Sequence, residues 1–322
     1  MTTQPKIILV AGANGQLGQL MLTALQDRAA RNGEALLVRA LVRQGRPVPA
    51  PTPTLVYEAI DYTNPADLAR VSEGAFAVVC CLLGVEDVII GVQSGLLKSA
   101  LDAGARRFIP SDFSGDFTKL PEGAHRNFDW RRQFHRIAAQ MIAKSGAGMD
   151  FTSIYQGGFT ELLASGWVLF DYKKLQVPYF GAADAKMEFT TYADTAEYTA
   201  AVALDDAPTP AALYIAGARL SPQTAAALGK RITGADFALK HVMQVWALRL
   251  VIGIMKRVKP DRKNPMPLWV VMQYGYCVAL GVMSPARIDN DRYPGMQWTS
   301  VDDTVRTAFI AAGHQIHVPQ EK

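Results

Sequence analysis

The sequence predicts an α/β protein: a doubly wound parallel sheet followed by a smaller carboxyl-terminal α/β domain. Three observations carry this expectation. An apolar run near the start breaks into glycines, strands alternate with helices through the first half, and 322 residues are enough for one large or two modest cores.

The first strand and turn are "IILVAGANGQLGQL", in which Ile7 to Val10 are apolar, Gly12, Gly15 and Gly18 follow, and apolar residues resume at helical spacing. Gly12 suits the positive φ of a tight turn, Gly15 lets a ligand approach the backbone, and Gly18 lets helix pack on strand. The N–H groups at the helix start would face an anion, usually a pyrophosphate. The spacing is G-x-x-G-x-x-G, not the commoner G-x-G-x-x-G, and a plain strand-to-helix turn is the alternative.

The second strand, "EALLVRALVR", ends at Arg43, about where a ribose-reading acid is expected some 20 residues past the glycines. A guanidinium there fits a 2′-phosphate, so Arg43, helped by Arg46, argues for NADP(H) over NAD(H). The alternative is a solvated basic loop before "RPVPAPTPT".

Next come a strand in "TLVYEAIDY", a helix in "NPADLARVSEG" capped at Asn64, and a fourth strand in "AFAVVCCLLG". A helix in "VQSGLLKSALDAGA" and a fifth strand in "RRFIPSD" complete the alternation. In such parallel sheets ligands sit at the carboxyl ends of the strands, which makes Leu82, Leu83, Gly84, Ser111, Asp112 and Phe113 candidate cofactor contacts. Apolar packing is the plain alternative.

Composition narrows the function classes. With 33 basic and 29 acidic residues the net charge is +4, too mild to imply nucleic acid as a partner, and no nucleic-acid motif is present. Cys80, Cys81 and Cys277 have no zinc or C-x-x-C spacing and read as core packing in a reducing compartment. His314 and His317 lack acidic or cysteine companions, so no metal site is expected. "MTTQPK" leads directly into a strand without signal-peptide character, and the cytoplasm is the expected compartment.

In the second half, "SPQTAAALGKRITG" predicts a helix capped at Ser221, and "FALKHVMQVWALRLVIGIMKRVKPDRKNP" an apolar helix ending in a basic cluster. The stretch 264–286 is uncharged and near the length of a bilayer span, but Pro265, Pro267, Gln273 and Gly275 argue for a buried helix lining an apolar pocket. Its Met, Trp and Tyr side chains suit a flat aromatic or quinone-like molecule, as they would any core.

Together "GANGQLG", "LVRQGRP", "AGARRFIPSDFSGDF" and "MDFTSIYQGGF" resemble the NmrA-like and isoflavone-reductase-like branch of the atypical short-chain dehydrogenase/reductases. The resemblance continues through "VPYFGAADAKMEFTTYADTAEYTAAVAL", and more loosely in "NDRYPGMQWTSVDDTVRTAF". It implies a Rossmann-like NADP(H)-binding domain over 1–157. A substrate-binding domain would occupy 158–322, closing over the nicotinamide, with some chain crossing back around 185–205. By the same resemblance Gly12, Asn14, Gly15, Gln16, Leu17 and Gly18 would hold the pyrophosphate, and Arg43 the 2′-phosphate. Ser111, Asp112 and Phe113 would lie near the nicotinamide ribose, and Tyr155 and Phe159 would border nicotinamide and substrate.

Two departures bear on catalysis. No tyrosine has a lysine four residues on, so the Y-x-x-x-K proton-transfer pair of the wider superfamily is missing. The lysine that isoflavone-reductase-like members place on the helix before "MDFTSI" aligns here with His135, or with Arg131 if the insertion in "SGAGMD" is placed elsewhere. A histidine can serve as general acid near neutral pH, though one flanked by arginines can equally be a surface residue.

The expectation is therefore an NADPH-dependent reductase of small aromatic or conjugated carbonyl, alkene or quinone-like compounds, with His135 or water supplying the proton. A second reading is a non-catalytic NADP(H) sensor that reports to a protein partner, which the missing lysine favours. A third, a membrane-associated quinone reductase, rests on the basic cluster and the uncharged stretch; a membrane span is not expected.

Overall fold

The computed structural model describes residues 4–45, 48–166 and 168–316, and the chain forms two compact units. The first comprises the described residues of Met1–Phe113, Asn127–Tyr155 and Tyr192–Leu213. Its strands are β1 (Lys6–Ala11), β2 (Leu36–Arg43), β3 (Leu55–Ile60), β4 (Ala75–Cys80), β5 (Arg107–Ile109) and β6 (Asp150–Phe151). They form one sheet in the order β3-β2-β1-β4-β5-β6, and the pairs are parallel. The order reverses between β1 and β4, the crevice where open α/β sheets take their ligands.

Helices α1 (Gln16–Asn32), α2 (Pro65–Ser72), α3 (Gln93–Asp102) and α4 (Arg126–Ser145) follow in chain order, and α5 (Tyr192–Leu204) returns to pack on α1. Asn64 caps α2 as expected: its Oδ1 accepts the Ala66 N–H at 3.0 Å, with Pro65 in the first turn. The α3 helix is preceded by a π-helical segment, Asp87–Val92, which no sequence pattern announced. The sheet interior is built from fully buried residues such as Leu9, Val78 and Phe108, packed on Leu96, Leu97 and Phe134 of the flanking helices.

One buried polar group ties this unit together. Arg107, with no solvent exposure, donates from Nε to Thr209 Oγ1 (2.9 Å) and from Nη1 to the carbonyls of Val202 and Asp205 (2.7 Å each). Its Nη2 reaches Asp150 Oδ2 (3.0 Å) and the Ala207 carbonyl (2.8 Å). The guanidinium thus clamps the turn after α5 to β5 and β6. A short pair, β7 (Ser153–Tyr155) with β11 (Ala212–Tyr214), extends the same attachment.

The second unit comprises the described residues of Ser114–Arg126, Gln156–Thr191 and Tyr214–Lys322. A three-stranded sheet joins β8 (Gly158–Phe159), β10 (Met187–Thr190) and β12 (Ala218–Leu220), and β9 (Gln176–Phe180) pairs in parallel with β13 (Ala238–Met243). Helices α6 (Pro222–Thr233), α7 (Val245–Val258), α8 (Leu268–Ala279) and α9 (Asp302–Ala311) complete it. Ser221 caps α6 in a reciprocal pair with Thr224.

Two sequence expectations change here. The run expected as one apolar helix from 237 onward holds a strand, β13, followed by α7, because Ala238 to His241 and Met243 pair with β9. The uncharged run 264–286 holds a 12-residue helix with one buried face: Trp269, Val270, Gln273, Tyr276 and Cys277 face inward, whereas Leu268 is exposed. This face and Ile252 of α7 border a cavity of ≈ 170 Å³ lined also by Arg249 and Glu122, more polar than expected. No helix among the described residues is long and apolar enough to cross a membrane.

Replacing Arg107 by methionine removes the guanidinium that faces Asp150, which keeps the Thr209 N–H at 3.0 Å, and takes their donor from the carbonyls of Val202, Asp205 and Ala207. Removing one partner of a buried ion pair costs about 3–5 kcal/mol, so urea unfolding of Arg107→Met is expected to show an unfolding free energy lowered by that amount, without loss of cooperativity.

Candidate active site

The glycine turn is shaped by close backbone approach. Gly12 has φ 80°, and a Cβ there would stand 2.4 Å from the Cys81 carbonyl oxygen; a Cβ on Gly18 would stand 2.3 Å from the Gly12 oxygen. Neither position admits a side chain. The Gly15 N–H returns to the Gly12 carbonyl at 3.0 Å, and Gly15 is the N-cap of α1. It offers no capping side chain, the first turn holds no acid, and the N–H groups of Gln16 and Leu17 have no acceptor among the described residues. Asn14, Gly15 and Gln16 are exposed, Leu17 is half-buried and Gly18 is buried. An open helix N-terminus of this kind attracts an anion.

Arg43 ends β2 with an exposed side chain and no ion pair among the described residues. Its charge acts on Tyr62, whose hydroxyl donates to the Leu41 carbonyl (2.9 Å) and accepts the Gly12 N–H (3.4 Å). Burial pushes the Tyr62 phenol well above its ordinary value, more than the Gly12 contact and Arg43 pull it down, so it stays neutral. Tyr62 thereby links the glycine turn to the second and third strands. Arg46 lies outside the described residues.

Past β4, Leu82 and Gly84 are half-buried and Leu83 is 65 % exposed. The Ser111 hydroxyl donates to the Leu82 carbonyl at 2.6 Å, and the Ser111 N–H donates to Gln93 Oε1 at 2.8 Å. The ends of β4 and β5 are thus tied side by side. Phe113, half-buried, closes this edge.

Asp112 gathers the polar residues. It is fully buried, and its Oδ2 accepts the Ser153 hydroxyl at 2.8 Å and lies 2.5 Å from His135 Nε2. Arg131 and His135 are four residues apart on α4 and share a face. Arg131 Nε donates to the Ser111 carbonyl at 2.9 Å and stands 3.8 Å from Asp112 Oδ1. The His135 ring meets the Phe151 ring edge-on at 5.2 Å and is about a quarter exposed. With Asp112 ionised, Nε2 carries a proton, an assignment made from the hydrogen-bond network. Ser153 gives its hydrogen to the carboxylate and stays 3.5 Å from the imidazole, so the group is a held histidine and not an activated serine nucleophile.

Of the expected site residues, the structure brings Ser111, Asp112 and His135 together and sets the glycine turn and Arg43 at the ends of adjoining strands. Tyr155 is buried at the end of β7; Phe159 is half-buried on β8 in the second unit. Sequence reasoning missed Tyr62, Gln93 and Ser153. Tyr62 had one signal, its position just past the third strand; the other two look like ordinary helix and strand residues. His314 Nε2 donates to the Tyr172 carbonyl (2.8 Å) and its ring stacks on Phe309, and His317 lies outside the described residues.

Residues 4–258 match the NmrA-like family. The chain belongs to that family. An oxidoreductase, aprR, of Aspergillus flavus is 25% identical over 186 residues, which is 58% of this chain and 60% of that protein. Among solved structures, an isoflavone reductase superposes with a TM-score of 0.70 at 18% identity, covering 95% of this chain and 99% of the other. A leucoanthocyanidin reductase–NADPH complex from Vitis vinifera gives 0.68 at 18% identity, covering 94% and 99%. At that identity the likeness establishes a Rossmann-like fold.

Of the vicinal cysteines of this NmrA-like protein, Cys80 is buried and Cys81 half-buried, and both are held as thiols. Burial pushes the Cys80 thiol well above its ordinary value and the Cys81 thiol up to about 12. The thiolate is the reactive form and appears only as pH rises toward those values. Against a thiol at the ordinary 9.0, Cys81 at pH 8 holds about a thousandfold less thiolate. Maleimide labelling of native protein at pH 8 is therefore expected to spare both cysteines and to modify them in urea; mass spectrometry of the peptides reads the outcome.

Proposed function

We propose that this chain is an NADPH-dependent reductase of small aromatic or conjugated carbonyl, alkene or quinone-like compounds. The observation that carries the reading is the open glycine turn with an exposed Arg43 guanidinium, without an ion pair among the described residues, at the end of the adjoining strand. The residues present fit the cofactor: Gly12 and Gly18 clear a cradle that a Cβ would fill, and the N–H groups of Gln16 and Leu17 at the start of α1 have no acceptor among the described residues. The NADPH held by the Vitis vinifera neighbour and the oxidoreductase relative support the same reading.

In this scheme Asn14 to Gly18 bind the pyrophosphate, Arg43 with Arg46 takes the 2′-phosphate, and Leu82 to Gly84 with Ser111 and Phe113 flank the remainder. Tyr155, at the end of β7 in the same unit, borders the nicotinamide. When bound, NADPH supplies a hydride from its nicotinamide C4. His135 supplies the proton: Nε2 is committed to Asp112, so the transferable proton is the one on Nδ1, and the buried carboxylate steadies the ring in its charged form. Ser153 holds the carboxylate from the other side.

The same commitment of Nε2 favours a second reading, a cofactor sensor in which His135 and Asp112 only stabilise the fold. Turnover separates the two. The reductase oxidises NADPH with at least one member of a panel of quinones, enones and aromatic aldehydes at roughly 1 per second or faster, whereas a sensor binds NADPH without oxidising it.

Calorimetry should show tighter binding of NADPH than NADH, with Arg43→Ala removing most of the difference. A charge-assisted contact of about 1.5–3 kcal/mol corresponds to roughly ten- to a hundredfold in affinity. Equal affinities in the unsubstituted protein overturn the assignment of Arg43. With a substrate in hand, His135→Ala is expected to slow turnover about a hundredfold while NADPH affinity holds, and a rate unchanged by the substitution moves the proton donor to water or Tyr155.

A further inference from the structure

Helix α7 presents apolar residues to solvent along one side. Trp246 is 71 % exposed, Leu250 59 %, Ile254 51 % and Val258 79 %, while Leu248 and Ile252 pack inward. At four-residue steps these four side chains drift across a stripe roughly 120° wide, the breadth of a core-facing face, yet here it faces water. Leu239 and Val242 of β13 are also exposed.

Charge is concentrated beside this stripe. Residues 238–268 hold seven basic side chains against one acidic, a net +6 where the whole chain carries +4. Arg249 and Lys256 lie along one flank of the stripe, Arg257 lies within its width in the last turn, and Lys259, Arg262 and Lys263 follow the helix C-terminus; with Lys240, all are exposed and none forms an ion pair among the described residues. Lys256 rests over the Trp269 ring at 5.6 Å.

We propose that α7 and the basic segment after it form a docking face for an anionic lipid bilayer. Charge complementarity selects this occupant. A second copy of the chain would bring two +6 segments together, and a nucleic acid would leave four large apolar side chains in water. A bilayer interface satisfies both features: the apolar face enters about 5–10 Å and the cations meet lipid phosphates and carboxylates. Tryptophan favours that boundary. At about 21 Å, the helix lies in the interface and does not span it. The proposal goes beyond the reductase reading, and its test needs no turnover.

The test is flotation of the whole protein with vesicles of phosphatidylcholine alone or with about 30% phosphatidylserine, at about 0.05 M and 0.5 M salt. Binding is expected on the anionic vesicles and not on the neutral ones, at least tenfold weaker at high salt. Leu250→Glu is expected to weaken it at least tenfold with an unchanged melting temperature, since Leu250 is exposed. Combined Lys259→Glu, Arg262→Glu and Lys263→Glu is expected to abolish the dependence on phosphatidylserine. Quenching of tryptophan fluorescence by brominated lipid should fall in Trp246→Phe, a substitution that preserves an aromatic side chain at the position. The proposal is overturned if the unsubstituted protein fails to float with anionic vesicles at low salt, or if Leu250→Glu floats equally well, which reduces the effect to adsorption of cations. A dimer in light scattering that Leu250→Glu converts to monomer also overturns it, assigning the stripe to a second copy.

Discussion

The carboxylate of Asp112 has no solvent exposure, and three side chains from two elements converge on it. A buried charge costs several kcal/mol unless hydrogen bonds replace its water, so its neighbours are constrained in kind and in place. Ser153 comes from β7, His135 from the middle of α4, and Arg131 from one turn earlier on that helix. Asp112 follows Ser111, whose backbone and hydroxyl are fixed by Gln93 and Leu82. The register of α4 against the sheet edge is consequently a matter of polar satisfaction as well as of the Phe108–Phe134–Phe151 ring cluster beneath it. A one-residue rotation of α4 would take both Arg131 and His135 away from the carboxylate.

How far the sequence revealed this depends on the range of the interaction. The glycine turn was legible because its requirement is local: a positive φ at Gly12 and a missing side chain at Gly18 leave a mark within seven residues. The helix caps at Asn64 and Ser221 were legible for the same reason. Ser153 was not, because the bond that gives it meaning crosses 41 residues, and Arg107 spends its donors on a turn about 100 residues away. Asp112 and His135 were named as candidates, by strand-end position and by resemblance, without sign that they touch. The stretch from 238 to 258 failed differently. Apolar runs do not declare whether they are strand or helix, and period reports a face without reporting what covers it; β13 and the outward stripe of α7 are the two consequences.

The two ends of the sheet edge differ in charge, which bears on how an extended ligand would lie. Gly12 follows β1 and Arg43 ends β2, so the helix N-terminus and an exposed guanidinium make one end positive. Asp112, past β5, makes the other end a place where a proton is held on His135. From β2 to β5 the sheet passes through β1 and β4, three strand spacings, or roughly 14 Å. A ligand with phosphates at one end and a reacting ring at the other meets both ends without bending back. Reversing it would set phosphates against a buried carboxylate and leave Arg43 unpaired, so under the reductase reading the charge order along the edge fixes direction before any shape complementarity is invoked.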